Sequence, residues 1–376
     1  MQPAYYVLEG VTRLHTYFVG LSQVLSNSAI GAALAKDAWA TSFFANKGIT
    51  NFDALKNVLM ALNTIVGIAA AMVGLFGMGA AIAGGVVAAL FGASVGFTLI
   101  NVKGAKDEMF HKAADLGATL SRVFIQSLKD LIAGNNLLMS GGTFAGVGDI
   151  RTFLKGGGFS QYSGMDQVKL INAYNAMLLS VAVNGLWRQQ KVFIMGGGPC
   201  DDSAGIGSGP QTAKVCRDGK AWYLYFWEET HRFTLTRHRL GWVTSPPGAN
   251  QLGQGDYADI SIADVINSSL DSYSVAGYNY TTQVAHQQAL NSLNQGIVDP
   301  NFASPAWQGI FTIPVCDVGF AAKAGVRNAK HILKPYNNHD SRPAWCGPIC
   351  SNDQTQTDAF IEAAQMKNFG PPRHAC

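Results

Sequence analysis

Apolar side chains recur at three- and four-residue spacing from the start of the chain. Tyr6, Leu8, Val11, Leu14, Phe18, Leu21, Val24 and Leu25 predict one or two helices over 4–35 that bury this stripe, with a break at Ser26-Asn27-Ser28. Asn51-Phe52-Asp53 marks the next helix start. The alternation of apolar and polar positions then stops. From Asn57 to Val102, between Lys56 and Lys103, 46 residues carry no charge, and between Ile65 and Ile100 the only polar side chains are Ser94 and Thr98. After Lys103 the pattern returns at once. Leu116, Leu120, Val123, Phe124, Leu128 and Leu131 form one face of an amphipathic helix, opposite Lys112, Asp115, Arg122, Lys129 and Asp130. "GNNLLMSGGTFAGVG" is expected to break that helix. "DIRTFLKGGGF" reads as a short helix stopped by glycines, and 166–190 as another helix.

From about residue 191 the periodicity changes to that of strands. "VFIM" is a strand leading into a Gly-rich loop, "GGGPCDDSAGIGSGP". "AWYLYFWEETHRFTLT" predicts two strands joined around Glu228-Glu229-Thr230. "TSPPGANQLGQGDY" is a loop, and Ser261 three residues before Asp264 is a cap-like start for the helix that follows. "QVAHQQALNSL" is a helix, "IFTIPVC" a strand and "QTDAFIEAAQMKNF" a last helix. The expected fold class is α+β. A helical domain over 1–190 contains an apolar Gly/Ala-rich helical hairpin at 64–100, and a disulfide-stabilised α+β domain covers 191–376.

The uncharged run is long enough for two helices of about 20 residues, the length that crosses a bilayer core. It divides near "GLFGMG", residues 74–79. Glycines punctuate it at Gly67, Gly74, Gly77, Gly85, Gly92 and Gly96, and Gly92-Ala-Ser-Val-Gly96 is a GxxxG, a spacing that lets helices approach closely in lipid. Three fates are open to such a segment: a buried core hairpin, a permanent anchor, or a hairpin sheathed by amphipathic helices and later released into membrane. Gly and Ala suit the last, because they bury less area than Leu and leave a core at lower cost.

Composition narrows the partners. Charged residues are 14% of the chain, and the deficit lies in the first hundred residues. The net charge of +3 is too small for a nucleic-acid binder, while a mild positive bias is compatible with an anionic lipid surface. All six cysteines, Cys200, Cys216, Cys316, Cys346, Cys350 and Cys376, fall in the second half, together with two sequons at Asn267 and Asn279. The combination favours an oxidising, secretory route, three disulfides and glycan at one or both asparagines. Cys200 and Cys216 flank the Gly-rich loop and are expected to pair locally, the other four tying the tail to the strand that ends at Cys316. Asn267 and Asn279 are both expected to be exposed, and Asn279, beside Gly277, is the better acceptor. The opening "MQPAYYVLEGVTRLHTYF" lacks a basic segment followed by an apolar one, so no cleavable signal is expected there.

No catalytic or metal constellation is legible. There is no HExxH, Walker motif or GxGxxG opening a helix, and Cys346-Gly-Pro-Ile-Cys350 reads as disulfide chemistry rather than a zinc site. No catalytic residue, metal or cofactor is therefore assigned. "HRFTLTRHRLGW" sets Arg232, Arg237, His238 and Arg239 among aromatics, which is either the solvated face of a hairpin or a grip for phosphates and lipid headgroups.

The arrangement over 4–190, an apolar Gly/Ala hairpin between amphipathic helices, resembles α-helical pore-forming toxins. The second half, through "WVTSPPGANQLGQGDYADISIADVINSSLDSYSVAGY", its spaced cysteines and "FIEAAQMKNF", resembles uncharacterised secreted proteins of filamentous fungi. The resemblances imply a secreted glycoprotein that inserts into a lipid bilayer as an oligomeric pore, toxin or effector. Neither carries functional residues onto this chain. The rival readings are a self-associating extracellular structural protein, whose small-residue helices pack between subunits, and an enzyme housed in the second half.

Overall fold

The computed structural model describes residues 2–43, 125, 128–129, 131–143, 149–157, 159, 164, 167–188, 190–200, 213–233, 239–278, 309–317, 346, 355–364 and 366. The chain forms two compact units, each discontinuous in sequence. The first comprises Met1–Ala40, Gly48–Ala182 and His286–Pro305, and the second Thr41–Lys47, Val183–Ala285 and Ala306–Cys376.

The first unit is helical among its described residues. Helix α1 (Gln2–Phe43) runs without the break expected at Ser26-Asn27-Ser28. Ser and Asn are only a few tenths of a kcal/mol poorer than Ala in a helix, and here burial outweighs them. Leu14, Tyr17, Phe18, Leu21, Val24, Leu25 and Ser28 form one continuous buried stripe through the triplet. Hydroxyls on the helix bond back to carbonyls one turn earlier, Thr12 to Leu8, Thr16 to Thr12 and Ser22 to Phe18, so they do not compete for the helical ladder. Helix α2 is continuous over 131–139, past Gly134 where a break was expected. Leu131, Gly134, Asn135 and Leu138 are its buried face, and Asn135 meets His15 of α1 at 3.0 Å. Helix α3 (Ile150–Leu154) is capped by Asp149 and passes into a 3₁₀ turn at Lys155–Gly157, as its glycines predict. Its Phe153 packs edge-on against Phe18, and Phe159 against Tyr17. Helix α4 (Gln167–Arg188) follows, and its Gln167 donates to Gln23 over 2.7 Å. The boundary between units falls inside α4 rather than after it.

The second unit is built on a mixed five-stranded sheet of β1 (Val192–Pro199), β2 (Lys214–Arg217), β3 (Lys220–Phe233), β4 (Arg239–Thr244) and β5 (Val315–Asp317). The order is β2-β3-β1-β5, with β4 also pairing β3; β1 and β5 are parallel, and the other pairs antiparallel. The expected turn at Glu228-Glu229-Thr230 is absent. β3 runs straight through these residues, which pair in register with Trp242, Gly241 and Leu240. β1 and β2 hold its first half and β4 its second, so the carboxylates sit within a ladder rather than at its end. The hairpin between β2 and β3, by contrast, is written in the sequence as Arg217-Asp218-Gly219-Lys220. Asp218 and Gly219 both take positive φ (52° and 73°), as a two-residue hairpin turn requires.

Both faces of the sheet are covered, and Ala221 to Tyr225 are accordingly all buried. On one face Phe193, Met195, Ala221, Tyr223, Tyr225, Trp227 and Cys316 pack with Phe360 of helix α6 (Thr355–Ala363), Ala364 and Met366. On the other lies helix α5 (Ile262–Ala276), whose start is the predicted capping box: Ser261 Oγ accepts from Asp264 N at 3.1 Å, and the Asp264 carboxylate accepts from Ser261 N at 2.7 Å. Three buried serines of α5 do the work of a missing strand. Ser272, Ser268 and Ser269 accept the N–H groups of Gly309, Phe311 and Ile313, and Asn184 of α4 accepts that of Thr312. The first part of the strand expected over 310–316 is thereby held by side chains before the chain joins the sheet at Val315. The last turn of α1 belongs to this unit as well: Phe43 packs edge-on against Trp187 and Tyr257, and its carbonyl accepts from Gln190 Nε2 at 2.7 Å.

Candidate functional site

The glycines expected to insert into membrane, Gly67, Gly74, Gly77, Gly85, Gly92 and Gly96, lie outside the described residues, as do Cys350, Cys376 and Asn279. Among the described residues no helix is long and apolar enough to cross a membrane. What the structure adds is a surface at the start of α1. Tyr5, Tyr6, Val7 and Leu8 are 62%, 57%, 58% and 66% exposed. This corrects the expectation that Tyr6 and Leu8 continue the core stripe, which begins only at Leu14. The signal was present. Four consecutive residues at 100° each sweep most of a helix's circumference, so an all-apolar quartet cannot bury itself on one side. The two tyrosine rings meet edge-on, 5.7 Å between centroids. Paired tyrosines beside aliphatic residues are the composition found where protein meets the membrane–water interface.

The cysteines divide differently from the expected pattern. Cys316 and Cys346 form a disulfide with Cα atoms 5.0 Å apart, both side chains buried. Cys200 and Cys216 do not pair, and Cys216 is an exposed thiol. The sheet explains why. Cys216 pairs with Ala221 of β3 and Gly198 of β1 pairs with the same residue on its other side, so Cys216 stands two strands from the β1 end where Cys200 follows. Two strand spacings are about 9.5 Å, beyond the roughly 7 Å Cα separation a disulfide can span.

Asn267 lies within α5 and is half-buried, not exposed; its carbonyl accepts from Arg217 at 3.1 Å. The hydroxyl of Ser269, third residue of that sequon, is turned into the core onto Ile313 N.

Charged groups gather at the β2–β3 hairpin. Arg217 bonds Asp271 of α5 at 2.6 Å, Lys220 bonds Asp317 of β5 at 3.0 Å, and Lys220 lies 5.9 Å from the centre of the Trp222 ring. These cations and carboxylates neutralise one another, and the arrangement ties α5 and β5 to the hairpin rather than presenting an unbalanced charge. A perturbed acid stands elsewhere, at the cap of α3. The Arg151 guanidinium bonded to Asp149, with the N–H groups of Thr152 and Arg151, holds the Asp149 carboxyl below its ordinary value of 3.8 against a smaller desolvation effect. It is a capping interaction on an exposed helix. No group of His, Cys, Asp and Glu among the described residues is arranged to hold a metal ion.

No known family matches this chain, and no curated protein or solved structure is significantly similar to it.

Proposed function

We propose that this protein is a secreted, membrane-inserting protein that acts as an oligomeric pore or bilayer-perturbing toxin or effector. One observation carries the reading: the uncharged run from Asn57 to Val102, whose length suits a hairpin of two spans and whose Gly92–Gly96 spacing suits close helix packing in lipid. The exposed Tyr5–Leu8 turn supports it as a first point of contact with the interface. The Cys316–Cys346 disulfide supports an oxidising compartment. The second unit, tied together by that disulfide, then serves to recognise a surface or to guard the hairpin.

Dye release from liposomes tests the proposal. The full chain should release dye from sealed vesicles, with a rate that rises faster than linearly with protein concentration. Lipid-independent assembly with no dye release from any vesicle composition would transfer the assignment to a self-associating structural protein.

A further inference from the structure

Helix α1 has two contrasting sides. The stripe from Leu14 to Ser28 is buried. Thr12, Thr16, Val19, Gln23, Asn27 and Ile30 run along the opposite side, and all six are exposed. From Thr12 to Ile30 the chain advances about five turns at 3.6 residues each, so this outer stripe stays on one side of the helix for about 27 Å. None of the six is charged, and between Arg13 and Lys36 the helix holds no Lys, Arg, Asp or Glu at all. His15, at the edge of the stripe, is engaged by Asn135 of α2 at 3.0 Å.

We propose that the outer stripe of α1, Thr12 to Ile30, docks onto the same stripe of a second copy of this chain at the membrane surface. The inference rests on the membrane reading above and assigns the surface through which copies pair. The stripe suits neither lipid nor water alone. Four of its six residues carry hydroxyl or amide groups, and no described helix is apolar enough to cross a membrane. A helix face kept in water is normally laced with charge. Absence of charge is what a self-docking face requires, because a two-fold contact sets each patch against itself and a charge near its centre meets its own sign. The polar groups do not oppose covering. Thr12 and Thr16 donate their hydroxyl protons to the carbonyls of Leu8 and Thr12, each at 2.9 Å, so burial strands no donor. Gln23 accepts from Gln167 of α4, and the Asn27 amide carries both a donor and an acceptor that a second amide can answer. Area sets the conditions. A helix face about 27 Å long and about 10 Å wide covers roughly 300 Å² per partner, below the ~800 Å² per partner of a standing complex. Copies therefore stay apart in dilute solution and pair once a lipid surface concentrates them.

Lysine-reactive cross-linking of the full chain, with and without phosphatidylcholine vesicles containing phosphatidylserine, is the test. The parent should give dimers on vesicles and few in solution. Val19 lies near the middle of the stripe, where a two-fold contact brings the two copies' residues close in either helix direction. Val19→Lys and Val19→Glu should each raise the bound protein density needed for half-maximal cross-linking by about tenfold or more. An equimolar mixture of the two should recover most of the loss, because opposite charges then face each other. Val19→Gln, which adds no charge, should cross-link nearly as the parent does. Asn136→Lys, the same charge at an exposed position of α2, should also match the parent. Val19 is exposed, so these changes leave the fold intact by circular dichroism, and vesicle pelleting fixes the bound density. Lysine and glutamate variants that cross-link like the parent overturn the site, as does an equal loss in Asn136→Lys. Loss in both variants with no recovery in the mixture overturns the second copy as the occupant. Parent cross-links as abundant without vesicles overturn the dependence on a surface. Dye release with no cross-linked parent removes the docking stripe and leaves the insertion reading standing; charge-swap recovery on vesicles without dye release supports the stripe and removes insertion.

Discussion

Trp222 lies directly over Gly196. A Cβ built on Gly196 would sit 2.3 Å from the indole ring and 2.6 Å from the carbonyl oxygen of Ala221. The two residues are register partners across β1 and β3, and the glycine leaves the space that the indole fills. This is why "GGGP", which reads as loop, is strand: the ring closes over the backbone of a residue without a side chain.

Gly196→Ala should therefore destabilise the second unit by about 1–3 kcal/mol, the range for overpacking a core. Trp222→Ala combined with it should recover only part of the loss, because the Ala221 carbonyl cannot move aside. Urea denaturation reads both; an unchanged midpoint in the single variant contradicts the packing.

The Cys316–Cys346 bridge closes 30 residues of chain. Its loss in Cys346→Ser should cost about 3–4 kcal/mol by the loop-entropy relation. Non-reducing peptide mapping should recover the 316–346 link, and a maleimide should label Cys216 in the native protein. A recovered Cys200–Cys216 peptide would show that β2 is not where the sheet order puts it.

Tyr5→Ser with Leu8→Ser removes exposed apolar surface and no buried contact. Stability should change by less than about 0.5 kcal/mol. Vesicle binding and dye release should fall together. Unaltered release would mean that the start of α1 takes no part in membrane contact.

Within the uncharged run, Gly92→Leu with Gly96→Leu raises hydrophobicity but holds neighbouring helices apart. Dye release should drop in a protein that remains folded by circular dichroism. Ala89→Asp should abolish insertion, at roughly 2.5–3.5 kcal/mol for a carboxylate at the centre of a span. A folded double-leucine variant as active as the parent would exclude close packing as the mechanism.

Asp149 makes the start of α3 acid-sensitive. Its folded-state carboxyl titrates below 3.8, so the cap contributes fully above that value and is lost as the pH falls through the lower folded value. Amide protection at Thr152 should decline over that acid window, and Asp149→Ala should remove the dependence. Protection that holds unchanged to lower pH would separate the cap from the carboxylate.

Local encoding and tertiary choice divide this protein along a physical line. Features settled within one or two turns of chain were legible: the Leu14–Leu25 stripe, the Ser261–Asp264 capping box, the short helix ended by glycines, the helix that became α6. The Asp218-Gly219 turn is equally local, since both residues take positive φ within a two-residue loop. The uncharged run too is a property of sequence alone, and it remains the basis of the functional reading. Other features depended on what lies opposite. Whether Glu228-Glu229-Thr230 turned or continued was decided by β4, and whether Gly196 was loop or strand by Trp222. Which cysteine met Cys316 among fifteen possible sets of pairings was decided by the placement of Cys346 against the sheet. The all-apolar run Tyr5–Leu8 requires that part of it stay exposed, but that all four residues do so was decided by where the packing partners of α1 end. A helix records its own periodicity in consecutive residues, whereas a strand's neighbours, a disulfide's partner and a surface's exposure are set by residues distant in the chain, whose positions only the fold supplies.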